Sequence, residues 1–207
     1  MDIRRHYGPD CPHPAGPQAQ GVTSLETDTI LIRQGSLLDS VLLAELGART
    51  FQETFGPANT PEDMADYLSR SFSPSQQQTE LNDPSTVFLI AQVGEESVGY
   101  ARLRQGPSPA QVRASNGVEI VRLYAIQERI GRGVGHALMQ ACLVQADSHG
   151  NDVIWLDVWE HNGRARAFYK KWGFEEVGTQ PFQLGNDLQN DVLMARPVRT
   201  PDADEPR

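Results

Sequence analysis

Apolar positions along this chain change their spacing several times, and each change marks an element. Residues 118–126 read VEIVRLYAI, a β-branched run with the look of a strand, and from Val134 the apolar positions Val134, Leu138 and Cys142 recur at the helical period. That helix is expected to run to about Ser148, with Gly150 as its stop. Earlier in the chain the pattern predicts a strand over 30–33 and a helix from Ser36 to about Phe55. Asp39 completes the Ser36 cap, and Leu38, Leu42 and Leu46 form the buried stripe. Thr60-Pro61-Glu62-Asp63 and Ser73-Pro74-Ser75-Gln76 each place a capping hydroxyl before a proline at the first helical position, so two short helices follow, the second with a full capping box. Strands over 86–93 and 97–104 joined at Gly94-Glu95-Glu96 form a hairpin, followed by a polar loop from 105 to 116. After a strand over 153–158, Asn162 caps a helix ending at Lys171 before Gly173, and strands near 175–179 and 191–196 close the pattern. This order predicts an α/β chain without internal repeats.

Bulk properties narrow the class. With 207 residues, 39% of them hydrophobic and 22% charged, the chain can bury one core without disulfides or metal. Residues 1–28 are broken by Pro and Gly and read as a disordered extension, 29–199 as the folded domain, and 200–207 as a flexible tail. No apolar run has the length of a membrane span and no signal-peptide core follows Met1, which predicts a cytoplasmic protein. The net charge of -9 argues against partners such as nucleic acid or an acidic membrane, which call for clustered Lys and Arg. Cys11 and Cys142 do not form a disulfide framework, and His136 and His149 lack partners at ligand spacing, so no metal site is read.

The chemistry concentrates between the 118–126 strand and the helix after it. Gly131-Arg132-Gly133-Val134-Gly135 alternates glycines where a chain leaves a strand and enters a helix, which brings backbone N–H groups and the positive helix end to one point. Such a turn suits an anion, and a phosphate in particular. A Walker A loop is excluded because neither its lysine nor its hydroxyl follows Gly131. A dinucleotide fingerprint is excluded because His136 occupies its third glycine position.

The spacing resembles instead the pyrophosphate loop of the GNAT superfamily of acyl-CoA-dependent N-acetyltransferases, with Ile130, Gly133 and Gly135 on its [QR]-x-x-G-x-[GA] positions. A second stretch, Trp159 to Gly178, resembles that family's N-x-x-A-x-x-[FL]-Y-x-[KR]-x-G-F segment through Asn162, Ala165, Phe168, Tyr169, Lys171, Gly173 and Phe174. The resemblance implies a mixed, largely antiparallel sheet flanked by helices and splayed at a cofactor cleft. It also implies acetyl-CoA as cosubstrate, held by the N–H groups from Gly131 to His136, Val134 among them, with Arg132 adding charge. Leu123, Tyr124 and Ala125 would pair with the pantetheine arm, and Asn162 would contact it. From the sequence, a fully paired strand there is as compatible as a splayed one. Ile130 departs from the usual Gln or Arg and removes any side-chain contribution at that position.

Tyr169 falls on the family's general acid, a phenol to protonate the departing thiolate. The acceptor ammonium, with a reference pKa of about 10.4, must lose a proton before it can attack. Glu119 is the first candidate base, with Glu160 and His161 behind it. Three longer stretches, 48–74, 158–174 and 179–198, resemble the bacterial branch of the superfamily that acetylates spermidine and spermine. On that resemblance a small-molecule amine is the expected partner, and Glu53 and Glu160 are expected to contact it. Glu62, Asp63 and Asp66 would add negative potential near Glu53. Acetylation of a protein N-terminus and a non-catalytic acetyl-CoA-binding domain are the rival readings, and a homodimer is left open.

Overall fold

The computed structural model describes residues 29–185 and 187–199; the expectations for 1–28, Cys11 and 200–207 lie outside the described residues. In chain order the elements are β1 (Ile30–Gln34), α1 (Ser40–Phe55), α2 (Pro61–Ser71), α3 (Pro74–Asn82), β2 (Thr86–Val93), β3 (Glu96–Gln105) and β4 (Gly117–Ala125). Then come α4 (Val134–Ser148), β5 (Val153–Trp159), α5 (Gly163–Lys171), β6 (Glu175–Leu184) and β7 (Asp187–Pro197). The strands form one seven-stranded sheet in the order β1-β2-β3-β4-β5-β7-β6. Every neighbouring pair is antiparallel except β4 and β5.

The predicted caps set the helices. Thr60 and Ser73 accept from the backbone N–H of Asp63 and Gln76, and Asn162 accepts from Ala165. The segment after Ser36 begins as a 3-10 turn, Leu37–Asp39, before α1 proper. That turn rotates the buried stripe. Leu43 and Leu46 are buried and Leu42 packs against the core, while Leu38, expected inside, is 95% exposed. The closing strands β6 and β7 are longer than their apolar patterns suggest, because they pair with each other from Glu175 to Asp187 in a hairpin with polar residues on both faces.

Helices cover both faces of the sheet. Gly47 of α1 lies against the Tyr100 hydroxyl, whereas the neighbouring Gly99 faces Val134 of α4, so α1 and α4 pack on opposite sides. The α4 stripe of Val134, Leu138, Met139 and Cys142 is almost wholly buried, as its period predicts. Phe168 of α5 sits beside Gly135, on the α4 side. On the other side, α3 is tied down by Glu80, whose carboxylate takes Arg102 at 2.8 Å and Arg122 at 2.7 Å in a buried cluster. No described helix is long and apolar enough to cross a membrane.

The β4 and β5 strands pair over only three positions, Gly117 with Val153, Val118 with Ile154 and Glu119 with Trp155, and then part. On the β3 side, Arg102 pairs with Arg122 but Leu103 with Ile120, so Val121 is an extra residue, a β-bulge just beyond the last pair that β4 shares with β5. A bulge bends and twists its strand. Here it carries β4 away from β5 and opens a fork through the middle of the sheet.

Candidate active site

The fork forms a cleft of about 620 Å³ that passes from one face of the sheet to the other. Phe51, Phe55 and Tyr67 wall it on the α1 and α2 side, and Gly135, Phe168 and Tyr169 wall it on the α4 and α5 side. The sequence candidates Leu123, Tyr124, Ala125, Gly131, Gly135, Asn162, Tyr169 and Glu119 all line it.

At the α4 end, Gly131 and Gly133 hold φ of 79° and 91°, and Gly133 is the residue that opens the helix. A side chain at either would force the left-handed region, so glycine is required there for backbone reasons. At Gly135 neither reason applies, since its φ is not positive and a Cβ would make only ordinary contact with the Phe168 ring at 3.6 Å. Among the described residues the amides of Gly131, Gly133, Val134, Gly135 and His136 meet no backbone acceptor. The Arg132 amide turns back to Arg129 O at 3.2 Å. The result is a cluster of free donors at a helix N-terminus, an anion cradle. Arg132 is exposed and stands outside the cleft beside Arg49 and Glu128, while His136 is exposed against Trp172 at 4.7 Å.

The free edge of β4 follows from its pairing. Ile126 N–H donates to Val98 O on β3, so by strand alternation Tyr124 also turns its backbone to β3, while Leu123 and Ala125 present N–H and C=O to the fork. Tyr124 therefore enters the cleft through its ring, which packs edge-on to Phe51 and Tyr100. Asn162 spends its side-chain oxygen on the α5 cap and still lines the cleft.

Tyr169 is buried beside Phe174, and burial raises its phenol well above the ordinary value, with the nearby Cys142 and Asp157 adding to the effect. The Cys142 thiol, on the adjacent helix, is pushed up to about 12 by the same burial.

The carboxylates are arranged differently from the expectation. Glu119 lies at the crotch of the fork, buried, with Arg104 at 2.6 Å; burial raises its pKa and Arg104 opposes the rise. Glu53 accepts from the Gln127 amide at 2.9 Å and from Arg49 at 2.8 Å, which fixes α1 to the turn before the glycine loop and places it in a depression that shares Thr54, Ala125, Trp159 and Asn162 with the cleft. Glu160 and His161 lie on the surface, 3.8 Å apart. On α2, Asp63 accepts from Thr60 and Asp66 pairs with Arg70. None of Glu62, Asp63 and Asp66 lines the cleft.

Two carboxylates that the sequence did not single out do line it. Asp157 of β5 is raised by burial and accepts from Gln180 at 2.6 Å. Asp191 of β7 is buried, and burial together with Asp157 and Glu160 raises it to about 7. An aspartate breaking an apolar strand run is the only local sign of either. Among the described residues no group of three His, Cys, Asp or Glu side chains converges on a metal position.

A splayed mixed sheet with free helix amides on one side of the split and carboxylates on the other defines an acyltransferase-type fold and site. The chain belongs to the acetyltransferase (GNAT) family, whose model matches residues 48–174. It is 35% identical over 160 residues to an uncharacterized N-acetyltransferase of Mycobacterium tuberculosis, covering 77% of this chain and 98% of that one. A second uncharacterized N-acetyltransferase, encoded in the pepI 3' region of Lactobacillus delbrueckii subsp. lactis, is 32% identical over 151 residues, 73% of this chain and 87% of the relative. Among solved structures, the PaiA N-acetyltransferase of Thermoplasma acidophilum in complex with coenzyme A superposes with a TM-score of 0.66. Its identity is 20%, over 82% of this chain and 99% of that one, a likeness of fold.

Proposed function

We propose that this acetyltransferase moves an acetyl group from acetyl-CoA to a primary amine, with a polycation such as spermidine or spermine as the preferred acceptor. The observation that carries the reading is the fork itself, which joins free helix amides on one side of the sheet to Glu119, Asp157 and Asp191 on the other. The coenzyme A complex of the PaiA neighbour supports the choice of cosubstrate.

The residues fit that cosubstrate. Five unengaged amides from Gly131 to His136 suit a pyrophosphate, and Gly131 and Gly133 hold the left-handed backbone that gathers them. Leu123 and Ala125 can pair with an extended amide chain as an added strand would, and Asn162 can donate from its remaining amide nitrogen. Arg132, exposed at the rim, adds positive charge for outer phosphates. Bound acetyl-CoA supplies an activated thioester carbonyl. The same free N–H groups of β4 can receive negative charge as it develops on an oxygen at the fork. Tyr169 keeps its proton at neutral pH and can give it to a sulfur placed beside it. Burial would raise the pKa of a thiol in that layer in the same direction as it raises the Tyr169 phenol.

The acceptor side is walled by Phe51, Phe55, Tyr67 and Trp159, with carboxylates between, a surface that favours a cation carried on an aliphatic chain. Calorimetry tests the cofactor half. Wild-type protein should bind acetyl-CoA, and a folded Gly133→Val variant should lose at least tenfold in affinity, since the residue stands at φ 91° in the amide cluster. Unchanged affinity would move the cofactor elsewhere. Free CoA release with polyamines, amino acids, aminoglycosides and peptides tests the acceptor, and a wide lead for peptides would replace the polyamine reading with the protein N-terminal one.

A further inference from the structure

Three carboxylates line the acceptor side, and they differ in what holds them. Glu119 is bound twice by Arg104, at 2.6 and 3.0 Å, and Asp157 takes the Gln180 amide at 2.6 Å. Asp191 has nothing. Its Oδ1 is buried without a hydrogen-bond partner, the residue is 7% exposed, and no donor or cation among the described residues reaches its carboxylate. Gln180 is its register partner on β6, yet that amide is turned to Asp157. Leaving a buried carboxylate unpaired is costly, and an asparagine of the same shape would avoid most of the cost. A group kept in that condition inside a substrate-sized cleft is waiting for a donor.

We propose that Asp191 receives the ammonium of the acceptor and takes its proton, a role that rests on the acetyl-transfer reading above. Trp159, its register partner on β5, supplies an aromatic face beside the cation, and Tyr67 of α2 lies across from it. In the step, an N–H bond of the ammonium breaks, an O–H bond forms on Asp191, and the electron pair stays on nitrogen as the nucleophile. The second proton that nitrogen sheds on becoming an amide balances the one gained by the departing sulfur through Tyr169. Asp191 returns its own proton to solvent.

The charges around Asp191 favour this assignment. Asp157 from β5 and Glu160 beyond it raise its affinity for a proton, and Glu119 of β4 lines the same cleft; the cations lining it are Arg122 of β4, held by Glu80, and Arg164 and Lys171 of α5. With Asp191 near 7, the mismatch to an ammonium of about 10.4 is about 3 units, against more than 6 for an ordinary carboxylate. Glu119, by contrast, would have to take a proton against the pull of Arg104.

The test uses spermidine and the full chain, first without acetyl-CoA. Calorimetric affinity for spermidine should rise about tenfold from pH 6 to pH 8 as Asp191 ionises, and Asp191→Asn should bind weakly with that pH dependence gone. In turnover, the acid limb of kcat/KM near pH 7 should vanish in Asp191→Asn, with kcat/KM down about 10² to 10⁴-fold and acetyl-CoA affinity kept. Asp157→Asn should move the limb to lower pH, a shift that a purely structural aspartate would not produce. Asp191→Glu, which restores a carboxylate, controls for folding by recovering part of the limb. Asp191→Asn with wild-type spermidine affinity and an intact limb overturns the proposal, as does a wild-type protein that binds acetyl-CoA but not spermidine. Failure to bind acetyl-CoA would instead strike the cosubstrate reading and leave the spermidine titration to decide the role of Asp191.

Discussion

Tyr169 and Cys142 share one buried layer between α4 and α5, and burial acts on phenol and thiol in the same direction. Tyr169→Phe removes only the hydroxyl, so the Phe168 and Phe174 contacts and the fold should survive. The kcat should fall about 10² to 10⁴-fold with acetyl-CoA affinity kept; steady-state kinetics giving a value within about threefold of the parent would assign sulfur protonation to another group. Asp191 makes a separate prediction about stability. Its folded pKa of about 7 lies above an unfolded value of about 3.9, so between those pH values the folded state holds a proton that the unfolded chain has lost. Stability from this group is therefore complete below about pH 4 and declines as pH rises through 7. Thermal melting at pH 8 should find Asp191→Asn more stable than the parent, and a lower Tm would mean that the carboxylate has a stabilising partner in solution. At this scale the placing of Tyr169, Asn162, Gly131 and Gly135 on one cleft was legible, because each sits in a local motif whose neighbours lie within a few positions. Asp191 was not, because its place in the cleft follows from its pairing with Trp159 on β5, a residue remote in the chain.

The cleft exists because β4 and β5 separate, and two features hold β4 in its bent course. The bulge at Val121 shifts the alternation by one, which keeps Glu119, Arg122 and Tyr124 all on the α1 side of the sheet. Beyond the bulge, the Arg122 guanidinium is clamped by Glu80 of α3 and lies 4.7 Å from the centre of the Phe72 ring. Glu80 also carries Arg102, so Glu80→Ala would strand two buried cations. Denaturant unfolding should show a loss of about 3 to 5 kcal/mol; a loss below about 1 kcal/mol would mean that water reaches the cluster and screens it. Helices, caps and most strand limits could be read from local pattern. The bulge could not, since an extra residue in a strand is defined only against its partner. Nor could the Glu80 cluster, which joins positions more than 40 residues apart. The misplaced Leu38 belongs here as well, because a three-residue 3-10 turn before α1 is enough to rotate a leucine from core to solvent.

Across the whole molecule, negative charge is both diffuse and focused. The chain carries a net charge of -9, and Glu119, Asp157 and Asp191 stand in a cleft with aromatic walls that Arg122, Arg164 and Lys171 also line, where screening is weaker than at the surface. The acidic residues of α2, expected from the sequence to draw the acceptor in, sit outside that cleft and contribute only to the far field. These two layers of charge respond differently to salt. Attraction of a polycation from solution is screened over about 10 Å at 0.1 M ionic strength, whereas contacts inside the cleft are much less affected. Raising salt from about 0.02 to 0.3 M should therefore lower kcat/KM for spermidine several-fold, mainly through KM. A monoamine of similar length should lose less, and kcat should change little for either. Steady-state kinetics across that range checks the expectation. If kcat/KM for spermidine and the monoamine fall in parallel, the polycation gains nothing from the field, and acceptor choice must come from the shape of the aromatic walls around Trp159 and Tyr67 alone.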